Sequence, residues 1–145
     1  MTERTASASW QGDLFGGSGT VSALSSGLFT DAEVTWASRT ETPGGKTSPE
    51  ELIASAHAAC FCMAFSNELS GRGHAPERLQ VHAALAFEGG KITTMVLEVS
   101  ADVPGMEDAG FREALAATEE SCPVSNALRG NVEIKVSSDL LRSSS

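Results

Sequence analysis

The sequence predicts an α+β fold with the element order βββ-α-ββ-α-β, in which a central buried helix packs on antiparallel sheets. Apolar and polar residues alternate in short units broken by glycines over residues 5–37, a pattern typical of strands. An uncharged apolar run then covers residues 52–65, and its length favours a helix. Two more alternating runs meet at Gly89 and Gly90, which is a hairpin signal.

The first strands are predicted to form an antiparallel meander. Its three units are residues 5–15, 19–24 and 27–37, separated by glycine-rich turns. The polar stretch that follows, residues 38–47, contains Arg39 and a Pro-Gly-Gly turn signal, so we expect a loop there.

The central helix has clear signals at both ends. Ser48 is a predicted N-cap, Pro49 suits the first helical position, and Glu51 completes a capping box three residues after the cap. Gly71 is the predicted stop. Between these ends, residues 52–65 carry only two polar side chains, so we expect the helix to be buried on every side.

The second half of the chain supplies the remaining elements. We predict two strands joined by the glycine hairpin, an amphipathic helix, a short helical piece that Pro123 opens, and a last strand. Their expected ranges are residues 78–89, 91–103, 107–121, 123–130 and 131–138. No internal repeat or linker interrupts the sequence, so residues 1–145 are expected to form a single domain.

The composition argues against several classes of partner. The chain has a formal net charge of −9, with 41% hydrophobic and 20% charged residues, which is typical of a globular protein. Proteins that bind nucleic acid or anionic lipid carry clustered Lys and Arg, so we expect neither partner. The N-terminus lacks the apolar core of a signal peptide, and we expect no stretch long enough to cross a bilayer. These features predict a cytoplasmic protein.

The three cysteines are Cys60, Cys62 and Cys122, and they leave inert core thiols, metal ligands and reactive thiols as open interpretations. A structural disulfide framework is not expected, because the cytoplasm keeps thiols reduced. A helix turns about 100° per residue, so Cys60 and Cys62 point about 200° apart and cannot close on one metal ion. His57 could share a face with Cys60, but two ligands do not make a zinc site. We therefore expect no metal and no other cofactor.

Two kinds of reactive thiol remain. His57, three residues before Cys60, could form the thiolate–imidazolium pair of a cysteine hydrolase, although a lone histidine in a buried helix is more often a hydrogen-bonded core residue. Redox chemistry fits better, because Cys122 precedes Pro123 and can lie at a helix N-terminus, where the dipole favours a thiolate. A buried thiol and a helix-end thiol far apart in sequence suit oxidation of the first and disulfide closure with the second.

Several motifs together resemble one family. They are SPEELIASAHAACFCMAFS at residues 48–66, SCPVSNAL at 121–128, WQGD at 10–13 and GTVSALSSG at 19–27, with Arg39 in the loop. Over nearly its whole length the chain resembles the family of osmotically inducible protein C and organic hydroperoxide resistance protein (OsmC/Ohr), and it is closer to the first branch. Both cysteine motifs keep the order and spacing of that family.

The resemblance implies a thiol peroxidase that reduces organic hydroperoxides to alcohols in oxidative and osmotic stress defence. By position, Cys60 matches the peroxidatic cysteine and Cys122 the resolving cysteine that forms a disulfide with it. Arg39 matches the arginine that stabilises the thiolate, and Glu50 matches the glutamate that orients this arginine. The resemblance also implies an intertwined homodimer with active sites at the subunit interface, and a cellular dithiol, typically a lipoyl protein, as reductant.

Helix geometry adds an expectation about Glu50. It precedes Cys60 by ten residues on one helix, about 15 Å of rise, so its carboxylate cannot reach an arginine beside the Cys60 of its own chain. We therefore expect Glu50 to serve the site of the partner subunit. Cys62 replaces the serine usual in the family and should face away from Cys60 as a small hydrophobic side chain.

An alternative function stays open beside the peroxidase. A non-enzymatic stress protein could hold an apolar ligand in a pocket over Cys60. Such a protein would need neither Cys122 nor Arg39, whereas a peroxidase needs both.

Overall fold

The chain folds into two compact units, residues 1–52 and the part from Ile53 onward. The computed structural model describes residues 1–141, and each unit contains one three-stranded sheet. Together with a long helix, these sheets confirm the predicted α+β class; that the two units form one domain stays a prediction. The strands are β1 (Ala6–Gln11), β2 (Ser18–Ala23), β3 (Ala32–Val34), β4 (Arg78–Glu88), β5 (Lys91–Asp102) and β6 (Glu133–Leu141), and the helices are α1 (Trp36–Thr40), α2 (Pro49–Gly71), α3 (Asp108–Ser121) and α4 (Pro123–Leu128).

The sheet of the first unit is the predicted meander. Strand β2 pairs with β1 on one side and with β3 on the other, both antiparallel. Gly19 on β2 lies opposite Trp10 on β1, and a Cβ atom at Gly19 would lie only 2.5 Å from the indole ring. Glycine at this position therefore allows the Trp10 ring to lie across the sheet.

A short helix follows β3 where the sequence predicts the end of a strand and then a loop. Both expectations are wrong for residues 36–40, which form α1. The Thr35 side chain accepts a hydrogen bond from the Ser38 N–H at 3.0 Å, and the Ser38 hydroxyl oxygen accepts one from the Thr35 N–H at 2.9 Å. This reciprocal capping stabilises the first turn of the helix, and it places Arg39 in the last turn.

Helix α2 begins and ends where the sequence predicts. The Ser48 hydroxyl oxygen accepts from the Glu51 N–H at 3.1 Å, and Pro49 is the first helical residue. The Glu51 carboxylate in turn accepts from the Thr47 hydroxyl at 2.7 Å. Gly71 is the last residue of the helix.

Helix α2 is buried on one face only. His57, Phe61, Phe65 and Leu69 recur every four residues, and all four are completely buried. The last three share one core with the inward-facing side chains of β5. On another face Met63 is 74% exposed, so the prediction of burial on every side is wrong for the chain by itself. The apolar core of this unit needs only one face of the helix.

The same helix meets the length and composition of a membrane span. It has 23 residues, and an 18-residue window reaches a mean hydropathy of 1.2. The expectation that no stretch is long enough to cross a bilayer is therefore wrong by length and composition. The core helix of a soluble protein passes the same test, so the result is weak evidence for a membrane location.

The sheet of the second unit has the order β4-β5-β6. The predicted hairpin between β4 and β5 is confirmed, with positive φ angles of 58° at Gly89 and 78° at Gly90. Strand β6 pairs with β5 in parallel, so the prediction of purely antiparallel sheets is wrong at this edge. A parallel neighbour requires a crossover connection, and α3 and α4 provide it, with Cys122 at their junction.

Candidate active site

The sulfur atoms of Cys60 and Cys122 lie 3.4 Å apart, and the Cys122 thiol donates to the Cys60 sulfur. The two residues are 62 positions apart in the sequence, and both thiols are free. A disulfide has an S–S distance of about 2.05 Å, so closure needs an approach of roughly 1.4 Å. The fold thus holds two thiols a short movement away from a covalent bond.

Cys122 is held by its backbone at the break between two helices. Its N–H donates to the Thr118 carbonyl at 2.9 Å, which completes α3, and its carbonyl accepts from the Asn126 N–H at 3.0 Å, which begins α4. Pro123 suits the first position of α4 because that position needs no N–H donor. The Cys122 side chain is completely buried between these two ends. The predicted position at a helix start is confirmed.

Cys60 lies half-buried on α2, facing the start of α4. Burial raises the pKa of the Cys60 thiol, because an apolar surrounding disfavours the thiolate. A hydrogen bond from the Val124 backbone opposes that rise, and the neighbouring Cys122 adds to it. These surroundings keep the thiol protonated, so a reactive thiolate at this position calls for a nearby cation.

Arg39 and Glu50 form a two-pronged ion pair within residues 1–52. Arg39 Nε lies 2.9 Å from Glu50 Oε1, and Arg39 Nη2 lies 2.9 Å from Glu50 Oε2. Glu50 is buried in the first turn of α2, where the positive end of the helix dipole favours a carboxylate. The guanidinium also lies 5.9 Å from the centre of the Trp36 ring. Both contacts fix the plane of the guanidinium.

An apolar cavity of about 300 Å³ adjoins this ion pair, also within residues 1–52. Apolar side chains form most of its wall, and Arg39 contributes the charged group. The sequence analysis did not identify this cavity, because its walls come from four separate segments. The lining residues are Trp10, Leu14, Val34, Thr35, Trp36, Arg39 and Pro49.

Cys62 contacts a different part of the second unit from Cys60. Its sulfur accepts a hydrogen bond from the Val81 backbone on β4, whereas Cys60 accepts one from Val124 on α4. Burial raises the pKa of the Cys62 thiol as well. This placement agrees with the prediction that Cys62 faces away from Cys60.

A second buried contact, which the sequence analysis did not identify, joins α2 to α4. His57 Nε2 lies 2.7 Å from Ser125 Oγ, and both side chains are almost completely buried. The expectation that His57 is a hydrogen-bonded core residue is confirmed, but Ser125 was not singled out. The signal was a mirrored spacing: histidine precedes Cys60 by three residues, and serine follows Cys122 by three.

The four predicted site residues therefore fall into two pairs, each described within its own unit. Arg39 contacts Glu50 in residues 1–52, and Cys60 contacts Cys122 in residues 53–141. Within residues 1–141, no three His, Cys, Asp or Glu side chains are grouped so that they could hold a metal ion. The two thiols can be deprotonated and can be oxidised to a disulfide, and the ion pair presents a fixed guanidinium.

Known proteins are similar to this chain in sequence and in fold. The family described as OsmC-like protein matches residues 42–137. Peroxiredoxin OsmC of Escherichia coli strain K12 is 35% identical over 131 residues, which cover 88% of this chain and 90% of that protein. The organic hydroperoxide resistance protein of Xanthomonas axonopodis pv. citri strain 306 is 30% identical over 120 residues, covering 77% and 81%. 

A solved structure agrees with these relatives. The crystal structure of an organic hydroperoxide resistance protein OsmC from Legionella pneumophila has a TM-score of 0.66 at 25% identity and covers 93% of this chain and 96% of that one. The family match on residues 42–137 includes Glu50, Cys60 and Cys122. Sequence and fold thus lead to one conclusion: this chain belongs to the OsmC-like protein family.

Proposed function

We propose that this chain is a cysteine-based peroxidase that reduces organic hydroperoxides to alcohols. The observation that carries the proposal is the 3.4 Å distance between the sulfur atoms of Cys60 and Cys122. Two thiols that are 62 positions apart in sequence meet inside the fold. Such a pair can pass two electrons to an oxidant and store the change as a disulfide. The names of the relatives, a peroxiredoxin and an organic hydroperoxide resistance protein, support a role in peroxide stress.

The proposed cycle has three balanced steps. The Cys60 thiolate attacks the terminal oxygen of the hydroperoxide, the O–O bond breaks, and the alkoxide leaves as an alcohol after taking a proton, so Cys60 becomes a sulfenic acid. The Cys122 sulfur then attacks the Cys60 sulfur, the S–O bond breaks, and water leaves as the disulfide forms. A dithiol finally reduces the disulfide and returns both thiols, becoming a cyclic disulfide itself.

The ion pair of Arg39 and Glu50 supplies the cation that the Cys60 thiolate needs. Burial raises the pKa of Cys60, and a fixed guanidinium beside the sulfur reverses that effect by favouring the charged form. Glu50 orients the guanidinium through two hydrogen bonds. Glu50 and Cys60 are separated by a rise of about 15 Å along α2, which is too far for the ion pair to act on the Cys60 of its own chain. We therefore propose a homodimer in which the ion pair of one subunit acts at the Cys60 of the partner subunit.

The cavity beside Arg39 suits the organic group of the substrate. Its wall is mostly apolar and its volume of about 300 Å³ is at the lower end of the usual range for small-molecule sites. An alkyl or aryl hydroperoxide can bury its carbon skeleton there and direct its polar oxygens toward the guanidinium. Hydrogen peroxide has no such group, so we propose a preference for organic hydroperoxides.

The disulfide chemistry of the proposed cycle also points to a reductant and to a cellular location. A 1,3-dithiol such as the dihydrolipoyl group can attack a disulfide and then release the mixed disulfide by ring closure, which suits a disulfide that lies partly inside the fold. We propose that the protein acts in the cytoplasm, where cysteines outside a catalytic cycle stay reduced.

The non-enzymatic alternative placed an apolar ligand over Cys60, but the apolar cavity within residues 1–52 is lined by Arg39 and not by Cys60. Ligand binding in this cavity is the form of the alternative that the structure leaves to test. The two functions differ in what they demand of the thiols. Binding of an apolar ligand leaves Cys60 and Cys122 chemically unchanged, whereas the peroxidase consumes one hydroperoxide for each disulfide formed.

A peroxidase assay on four proteins tests the proposal. Cumene hydroperoxide loss is followed with dihydrolipoamide as reductant for wild type, Cys60→Ser, Cys122→Ser and Cys62→Ser. Cys62→Ser is the matched control, because it removes a thiol from the same helix whose sulfur contacts a different element. Cys60→Ser should abolish turnover, Cys62→Ser should keep it within about twofold, and Cys122→Ser should stop after about one oxidation per subunit. Equal turnover in wild type and Cys60→Ser would end the proposal.

A further inference from the structure

We propose that the hydrogen bond between His57 and Ser125 is a positioning contact that aligns the two thiols for disulfide closure. The inference rests on the proposed function and deepens it, because it assigns two residues to the resolution step. His57 Nε2 and Ser125 Oγ lie 2.7 Å apart although 68 positions separate the residues. His57 is 0% exposed and Ser125 2% exposed, so the contact belongs to the packed interior rather than to a mobile surface.

The contact lies about one helical turn away from the thiols on both helices. His57 precedes Cys60 by three residues on α2, and Ser125 follows Cys122 by three residues in α4. Three residues of helix rise about 4.5 Å. Along α2 the histidine comes before the cysteine, whereas at the start of α4 the cysteine comes before the serine. Because His57 contacts Ser125 and Cys60 contacts Cys122, the two helices run in opposite directions at this point. Two contacts, of 2.7 Å and 3.4 Å, therefore fix the same two segments against each other.

The imidazole depends on Ser125 for its hydrogen bonding. Among residues 1–141, Nδ1 of His57 has no hydrogen-bond partner, so the contact between Nε2 and Ser125 is the hydrogen bond that the ring makes with these residues. Burial lowers the pKa of His57, which keeps the ring neutral. A neutral ring that is hydrogen-bonded to a hydroxyl fixes the distance and the orientation between α2 and α4 without adding charge beside Cys60. This is the character of a positioning residue and not of a base that activates the thiol.

Alignment matters most in the closure step. The Cys122 sulfur must approach the sulfenic sulfur of Cys60 along the S–O bond that breaks, moving from 3.4 Å to about 2.05 Å while water leaves. A misplacement of about 1 Å can slow an aligned reaction roughly 100-fold. Helix α4 has only six residues, so few of its own hydrogen bonds keep it in place. The contact with His57 limits how far α4 can shift from α2.

Disulfide closure in a glutathione redox buffer tests the inference without any peroxide. Ser125→Ala removes the hydroxyl and keeps a strong helix former. We expect its rate of Cys60–Cys122 disulfide closure, measured by mass spectrometry after timed thiol trapping, to fall about tenfold or more. Ser125→Thr keeps a hydroxyl and should stay within about threefold of wild type. The matched control is Thr118→Val, which removes a buried hydroxyl that donates to the Ala114 carbonyl of the same helix, and it should leave closure unchanged.

Each result with the Ser125 variants either supports or overturns the positioning role. Closure of Ser125→Ala at the wild-type rate overturns the inference, and so does a Ser125→Thr variant that closes as poorly as Ser125→Ala. If Ser125→Ala does not fold, the ring nitrogen signals of His57 in reduced wild type decide: a hydrogen-bonded Nε2 supports the inference, and an unbonded Nε2 overturns it. Failure of the peroxidase proposal has a different signature, since wild type would then close its disulfide with glutathione yet leave cumene hydroperoxide intact.

Discussion

Arg39 and Glu50 face each other through two parallel hydrogen bonds of 2.9 Å, one from Nε and one from Nη2. The arginine lies in the last turn of α1 and the glutamate in the first turn of α2. The two hydrogen bonds therefore link the end of the short helix to the start of the long one. Glu50 is 7% exposed, which means that packing holds the carboxylate and the carboxylate holds the guanidinium. A cation fixed in this way can stabilise an anion without reorganising.

Glu50→Gln should destabilise the protein and reduce its peroxidase activity. The substitution removes the charge that balances Arg39 and breaks one of the two hydrogen bonds, at a cost of about 1–3 kcal/mol in the free energy of unfolding. Urea unfolding measures that cost. The matched control is Glu51→Gln, on the next residue of the same helix, whose exposed carboxylate accepts from the Thr47 hydroxyl. It should cost less than about 1 kcal/mol, and equal losses for the two variants would contradict the proposed role of the pair.

Arg39→Gln should move the reactivity of Cys60 to higher pH. Burial raises the pKa of Cys60, and removal of the proposed cation leaves only the hydrogen bond from the Val124 backbone to oppose that rise, so the thiolate forms at higher pH. We expect the midpoint of the alkylation rate to increase by at least about one pH unit. Iodoacetamide labelling across a pH series, read peptide by peptide, gives the midpoint.

Cys62 provides an internal control in the same samples. Its pKa is raised by burial too, but its sulfur lies against β4 and no role for Arg39 is proposed there. Its midpoint should not change in Arg39→Gln. A Cys60 midpoint that also stays unchanged would mean that Arg39 does not stabilise the thiolate.

Trp36→Ala should weaken the preference for bulky hydroperoxides. The indole lines the apolar cavity and lies beside the guanidinium, so its removal takes away a large part of the surface on which an aryl group can pack. We expect KM for cumene hydroperoxide to rise about tenfold, while the rate with hydrogen peroxide changes little. Leu28→Ala is the control, because Leu28 is 81% exposed and does not line the cavity. An equal change in KM for cumene hydroperoxide and in KM for hydrogen peroxide would show that the cavity does not select the substrate.

Local signals in the sequence located the main helix and the hairpin of the second sheet. Ser48 and Pro49 mark the start of α2, and Gly89 and Gly90 supply the positive φ angles of a tight turn, so short-range chemistry decides both. The start of α1 had a similar signal in Thr35, but the alternating pattern before it favoured a strand.

Contacts between distant residues could not be predicted in the same way. The parallel pairing of β6 with β5 depends on the crossover through α3 and α4, which no local pattern specifies. The pair of hydrogen bonds between Arg39 and Glu50 was expected only because the motifs resemble a family. The approach of Cys60 to Cys122 was one of several open interpretations of the thiols, and the resemblance made it specific. The bond between His57 and Ser125 was missed, because the matching spacing of the two residues from Cys60 and Cys122 has meaning only when the two thiols are known to meet.

Met63→Asp should dissociate the proposed dimer. Met63 is 74% exposed on an apolar helix, and a charge there would be costly to bury against a second subunit. Light scattering coupled to size-exclusion chromatography should show a shift from the dimer mass to the monomer mass. Ala116→Asp places the same charge on an exposed position of α3 and should leave the mass unchanged. A Met63→Asp protein that stays dimeric would show that this face of α2 is not the interface.

The most direct measurement of the central claim is a single oxidation followed by peptide mapping. Reduced protein is mixed with one equivalent of cumene hydroperoxide in the absence of any reductant, its remaining thiols are blocked, and the digest is analysed by mass spectrometry. The proposed mechanism predicts one equivalent of cumyl alcohol, a cross-linked peptide joining Cys60 to Cys122, and an alkylated Cys62. Alcohol formation without that cross-link, or a cross-link that includes Cys62 instead, would contradict it.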